Sequence, residues 1–184
     1  MYMNEKNEFL CNEEINYREE NDKIRLQIEQ LAVKLVDRLI KDELFIATAE
    51  SCTGGMVASS IVDVPNASSC FNEGVISYSN EAKMKYLGVA DVTLEKYGAV
   101  SKETVKEMAD GIRRQSGCDI SIVTSGVAGP TGGTEDKPVG LVYIACAFKE
   151  KIFVISHKYK GDRTRVRLLA VLDALKLCIN TLDI

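Results

Sequence analysis

Three short runs hold residue types that could do chemistry. In Glu50-Ser51-Cys52-Thr53-Gly54-Gly55, two hydroxyls and a thiol crowd a turn whose glycines permit close backbone approach. A nucleophile here would attack a carbonyl, and the N–H groups of the helix that follows would favour the developing negative charge. A plainer reading has Ser51 or Thr53 capping that helix while Gly54-Gly55 packs it on a sheet. Spacing does not choose between Ser51 and Cys52, because a helix N-terminus lowers a thiol pKa.

The second run is Tyr78-Ser79-Asn80-Glu81-Ala82-Lys83, a tyrosine at a strand end with a lysine five residues on. The chain has a single histidine, His157, which reads as a strand residue, so a serine nucleophile needs another base. Lysine serves when burial or nearby positive charge brings its pKa down from about 10.4. Serine–lysine pairs are a known variant of triad logic. A core tyrosine beside a solvated lysine is the plainer account of the same pattern.

The third run is the glycine loop after Ser125, from Gly126 to Pro138, together with Arg163. It contains neither Gly-Lys-Ser/Thr nor G-x-G-x-x-G, so no phosphate-loop fingerprint is present. Its backbone N–H groups and a nearby guanidinium still suit a phosphate or another polar ligand. Structural turns explain the glycines as well.

These runs must be positioned by regular elements. Ile24, Ile28, Leu31, Leu35 and Leu39 recur at helical spacing, predicting an amphipathic helix from Asp22 to about Lys41. Leu44–Ala49, Val75–Tyr78 and Asp119–Ser125 read as strands, and all three chemical runs lie just beyond strand ends. In an open α/β sheet, that is where ligands bind. Helices are expected from Met56 to Val62, from a cap at Asn80 through Lys83 to Leu87, and after a cap at Ser101. Leu141–Phe148 and Ile152–Tyr159 have hairpin spacing, and a final helix follows Gly161-Asp162-Arg163. The fold class is α/β, a three-layer α/β/α sandwich with a mixed, mostly parallel sheet.

At 184 residues, with 46% hydrophobic and 27% charged residues, the chain suits one compact domain. Residues 1–21 are expected to be an acidic, flexible leader and 22–184 the domain. Met1–Asp22 has a net charge of −5, which leaves +1 for the rest of a chain at −4. A neutral body offers no footprint for a nucleic-acid backbone. The longest apolar run, Val139–Phe148, is about half a membrane span, and no secretory start is seen, so no membrane partner is expected. Six scattered cysteines without a C-x-x-C pair read as reduced thiols of a cytoplasmic protein. One histidine excludes a multi-imidazole zinc site, so no metal is expected.

Five segments together resemble the CinA C-terminal family, which includes the nicotinamide mononucleotide deamidases. They are Thr48–Gly55, Gly74–Lys83, Gly98-Ala99-Val100-Ser101, Ser125–Pro130 and Lys137-Pro138-Val139-Gly140, in order and at the family's spacing, within about Ile24–Leu182. The resemblance implies a serine amidohydrolase of pyridine-nucleotide salvage, without metal or organic cofactor, acting on a pyridine mononucleotide. It implies Ser51 as nucleophile rather than Cys52, with Tyr78 and Lys83 as activating partners, Lys83 acting through Tyr78. The expected substrate and oxyanion contacts are Cys52, Thr53, Gly54, Gly55, Asn80, Ser125, Gly126 and Arg163. Ser125 stands where the family usually has threonine. A homodimer or higher homo-oligomer is expected by the same analogy. A non-catalytic nucleotide-binding module of the competence-associated kind, and a hydrolase using Cys52, are the competing readings.

Overall fold

The structure is a computed structural model that describes residues 5–183, with side chains from Tyr17 onward. Of the acidic leader, Met1–Asn4 lie outside the described residues, as do the side chains through residue 16.

Helix α1 spans Glu5–Lys41, so it runs on through the stretch that composition sets apart as a leader. That stretch lacks apolar periodicity, yet no Gly or Pro precedes Gly54 to interrupt it, and its Glu, Lys and Arg residues are good helix formers. Glu20 is paired with Arg165 at 2.6 Å, and the Arg165 guanidinium sits 5.5 Å from the Tyr17 ring centroid.

Five strands follow: β1 (Ile46–Glu50), β2 (Phe71–Ile76), β3 (Ile120–Gly126), β4 (Leu141–Phe148) and β5 (Lys151–Lys158). Their order is β2-β1-β3-β4-β5, with β1 parallel to β2 and β3, and β4 antiparallel to β3 and β5. Four strands therefore point one way and β4 alone points back. The remaining helices are α2 (Met56–Val62), α3 (Asn80–Leu87), α4 (Asp91–Tyr97), α5 (Lys102–Ser116) and α6 (Arg163–Leu182).

Alternation along the strands splits the core in two. Ile46, Ile120, Ile122, Val142 and Ile144 pack with Leu35, Leu39, Val57, Val171 and Leu175 of α1, α2 and α6. Ala47, Ala49, Val123 and Ala145 pack with Leu87, Leu94, Met108 and Ile112 of α3, α4 and α5. The result is a three-layer α/β/α sandwich. Because α2 covers one face and α3–α5 the other, the crossovers from β1 and β2 diverge at the C-terminal end of β1. A crevice opens there.

Two local expectations change. Ser79, not Asn80, caps α3: its extended backbone lets Oγ accept the Ala82 N–H at 3.1 Å, while Asn80 is already helical. Helix α4 was hidden by its brevity and by a mixed run, Asp91–Tyr97, that shows no clear apolar face.

Candidate active site

Glu50 ends β1, aligned with Ile76 of β2 and Thr124 of β3, and Ser51 begins the turn beyond it. Gly54 and Gly55 have φ of 60° and 93°, a left-handed path that favours glycine and turns the chain into α2. Glu50 is 1% exposed, and its carboxyl group accepts the N–H groups of Gly55, Val57 and Ala58 at 2.8–3.0 Å and the Thr53 hydroxyl at 2.6 Å. The start of α2 is thus already occupied and is not free to hold an oxyanion, which corrects the expectation for this helix. The Gly54 N–H is also taken, by the Ser51 carbonyl at 3.1 Å. The N–H groups of Cys52 and Thr53 donate to no oxygen among the described residues. Thr53, fully buried, bonds Thr124 as well as Glu50, so its hydroxyl is structural.

Lys83 projects inward from the first turn of α3 and is 1% exposed. Its Nζ donates to the Ser77 carbonyl at 2.8 Å and to Ser51 Oγ at 3.2 Å. No carboxylate lies within 4 Å of it among the described residues. Burial pushes the Lys83 pKa down from its ordinary value, with the Cys52 thiol acting in the opposite direction. A buried amine without a counter-ion, in contact with a hydroxyl, is equipped to take that hydroxyl's proton.

Tyr78 is not between them. It is 63% exposed, and its hydroxyl accepts from Arg163 Nη2 at 3.1 Å. The backbone after β2 sends Ser77 inward and Tyr78 outward, so the relay expected through Tyr78 is replaced by direct contact between Lys83 and Ser51. Arg163, at the start of α6, also donates through Nη1 to the Gly129 carbonyl at 2.8 Å, which ties it to the glycine loop. Ser125 is buried, and its hydroxyl donates to the Ala99 carbonyl at 2.7 Å.

A cleft of about 270 Å³ brings Ser51, Cys52, Tyr78, Lys83, Ser125, Gly126 and Arg163 together. Thr53, Gly54, Gly55 and Asn80 do not line it; the first three build the turn behind Ser51 and Asn80 faces solvent. A larger hollow of about 610 Å³ between α1, α2 and α6 holds none of these residues, so cavity size does not locate the chemistry here. Cys52 is 5% exposed, and burial pushes its thiol up to about 11, which disfavours the thiolate a cysteine nucleophile needs. His157 lies on β5, stacked on Tyr159 and away from the cleft lining. Among the described residues no cluster of His, Cys, Asp and Glu could hold a metal ion, and no helix is long and apolar enough to cross a membrane.

Three site residues escaped the sequence reading: Glu50, Thr124 and Arg167. Arg167 donates through Nε to the Cys52 carbonyl at 3.1 Å and through Nη2 to the Thr53 carbonyl at 2.6 Å. Its position one helical turn after Arg163 was a usable signal, since residues i and i+4 share a helix face. Glu50 gave another, as a carboxyl group closing an otherwise uncharged buried strand.

Comparison with known proteins places the chain in a family. The chain is 51% identical over 151 residues to a protein of Thermoanaerobacter pseudethanolicus named for competence-damage induction, which covers 82% of this chain and 36% of that protein. It is 52% identical over 147 residues to a CinA-like protein of Kosmotoga olearia, covering 80% and 36%. The chain thus spans little more than a third of the length of these curated relatives. The crystal structure of competence/damage inducible protein CihA from Agrobacterium tumefaciens superposes with a TM-score of 0.83 at 35% identity, covering 86% of this chain and 96% of that one. A competence-damaged protein (CinA) superfamily structure from Escherichia coli gives 0.79 at 38% identity, covering 81% and 87%. The CinA C-terminal domain matches residues 28–182, and the chain belongs to that family.

Proposed function

We propose that this protein is a serine amidohydrolase that converts nicotinamide mononucleotide and water to nicotinic acid mononucleotide and ammonia. The observation that carries the reading is the 3.2 Å contact between Ser51 Oγ and the buried Lys83, which has no carboxylate within 4 Å among the described residues. The choice of substrate comes from the family resemblance.

In this mechanism Lys83, neutral in its desolvated site, takes the Ser51 proton as Oγ attacks the carboxamide carbon. The pyridinium ring withdraws electrons from that carbon and assists attack. Backbone N–H groups of the Ser51 turn hold the oxyanion. Lys83 then returns the proton to the departing nitrogen, and ammonia leaves. A water molecule gives a proton to Lys83 and attacks the acyl-enzyme; collapse restores Ser51 and releases the acid. Arg163 and the glycine loop face the same cleft and are suited to the ribose phosphate, with Tyr78 holding the guanidinium in place. The reaction as proposed needs neither metal nor organic cofactor. The protein acts in the cytoplasm as a homodimer or higher homo-oligomer.

The test is turnover of nicotinamide mononucleotide, nicotinamide riboside and nicotinamide by the purified chain. Acid product and ammonia from the nucleotide alone are expected. Equal turnover of the riboside would remove the phosphate from the account. Nucleotide binding without product would support the non-catalytic module.

A further inference from the structure

The turn that carries Ser51 is held from two sides, and only one side is needed to start α2. Glu50 already satisfies the N–H groups at the head of that helix. Arg167 approaches from α6 and bonds the carbonyls of Cys52 and Thr53 instead. It forms no salt bridge with any carboxylate among the described residues. A guanidinium placed with no carboxylate partner, on two carbonyls beside a nucleophile, has an electrostatic consequence.

The carbonyl and the N–H of one peptide group are rigidly coplanar and point in opposite directions. Arg167 Nη2 donates to the Thr53 carbonyl, whose peptide partner is the Gly54 N–H. That N–H donates in turn to the Ser51 carbonyl at 3.1 Å, whose peptide partner is the Cys52 N–H. Two hydrogen bonds in series therefore connect the cation to the Cys52 N–H, which donates to no oxygen among the described residues. Cys52 lines the cleft beside Ser51. Chains of hydrogen bonds polarise one another, most strongly when a charged donor heads the chain and the surroundings are dry. The residue after a nucleophile is also a geometrically natural oxyanion donor.

We propose that Arg167 is a positioning residue for amide hydrolysis at Ser51, fixing and polarising the Cys52 N–H as the oxyanion donor through the Thr53–Gly54 and Ser51–Cys52 peptide groups. This rests on the reading of Ser51 as nucleophile and extends it to a residue that never touches substrate. An oxyanion contact forms fully only in the transition state, so its loss lowers kcat and leaves KM in place.

The experiment compares wild type with Arg167→Gln and Arg167→Lys in two assays, alongside melting temperature. One assay is nicotinamide mononucleotide turnover; the other is acylation of Ser51 by p-nitrophenyl acetate, followed by mass spectrometry of the Ser51 peptide. Arg167→Gln is expected to lower kcat about 10- to 100-fold with KM within about twofold, somewhat less than loss of a whole oxyanion donor. Ester acylation should slow by a similar factor, and Arg167→Lys, which keeps a cation, should recover much of the loss. If Arg167→Gln fails to fold, Arg167→Lys decides, with a fall of several-fold in kcat at unchanged KM and melting temperature. Unchanged kcat and acylation, or a loss borne by KM or melting temperature, overturns the proposal. If wild type acylates Ser51 but leaves the nucleotide intact, the substrate reading fails and the acylation ratio alone decides the role of Arg167. If wild type does neither, Ser51 is not the nucleophile and this role falls with it.

Discussion

The wall of the cleft that carries Ser51 and Lys83 is made of buried groups, whereas the wall that carries Tyr78 and Arg163 stands in solvent. Behind the first wall, Glu50, Thr53 and Thr124 are each no more than 1% exposed and are joined by bonds of 2.6 Å, and Lys83, as deeply buried, donates to Ser51 at 3.2 Å. On the second, an exposed tyrosine and an exposed arginine share one bond, and a second bond reaches the glycine loop. The difference separates two jobs. Buried donors and acceptors cannot move without leaving a partner unsatisfied, so they hold reacting atoms in place. Exposed groups rearrange at little cost and can close on a ligand that arrives from water. Changes on the first wall should therefore appear in kcat or stability, and changes on the second in KM.

The largest expected effect is Ser51→Ala, which should lower turnover by about 10⁴-fold or more while leaving the melting temperature within a few degrees. Lys83→Met comes next, with a loss of about 10²- to 10⁴-fold, the range of a general base. In wild type, turnover should rise with pH as Lys83 loses its proton, at a pH below the ordinary lysine value because burial lowers that pKa. Stability should follow with a defined sign. Between the lowered folded value and the ordinary 10.5, the folded protein binds fewer protons at Lys83 than the unfolded chain does. Unfolding free energy contributed by Lys83 therefore increases as pH rises through that window. Urea titrations at pH 7 and pH 10 should show wild type gaining stability relative to Lys83→Met at the higher pH; a constant difference would mean that Lys83 titrates normally.

Glu50→Gln is a test behind the buried wall that leaves Ser51 and Lys83 in place. The amide presents a donor to a site made of donors, so at least one group loses its partner, at a cost of about 1–3 kcal/mol. Chemical denaturation should register this, and an unchanged midpoint would show that the Glu50 cluster is not what fixes the turn. The smallest effect is expected on the exposed wall. Tyr78→Phe removes one solvent-accessible hydrogen bond worth about 1 kcal/mol, which is roughly fivefold in KM. A collapse of kcat in this variant would restore Tyr78 to the proton path and erase the contrast between the walls.

The sequence made much of this legible. Short apolar runs and hairpin spacing place every strand to within a few residues. Ser51, Lys83, Ser125 and Arg163 stood out by type, and they meet in one cleft. What stayed hidden depends on side-chain direction after a strand ends. Nothing in Ser77-Tyr78-Ser79 says that Tyr78 turns outward while Lys83 turns in. The capping of α2 by Glu50 was obscured because the carboxyl group precedes the helix by six residues, outside the usual cap positions. Arg167 was read as part of a helix because its partners are backbone carbonyls more than a hundred residues away. The extension of α1 to Glu5 was masked by polarity, since composition suggests disorder where uninterrupted helix formers suffice.

The most direct measurement is ammonia release from nicotinamide mononucleotide by wild type, Ser51→Ala and Cys52→Ala, assayed side by side on folded protein. The account predicts release by wild type and by Cys52→Ala, with none above background from Ser51→Ala. Full release by Ser51→Ala, or loss in Cys52→Ala alone, would contradict it.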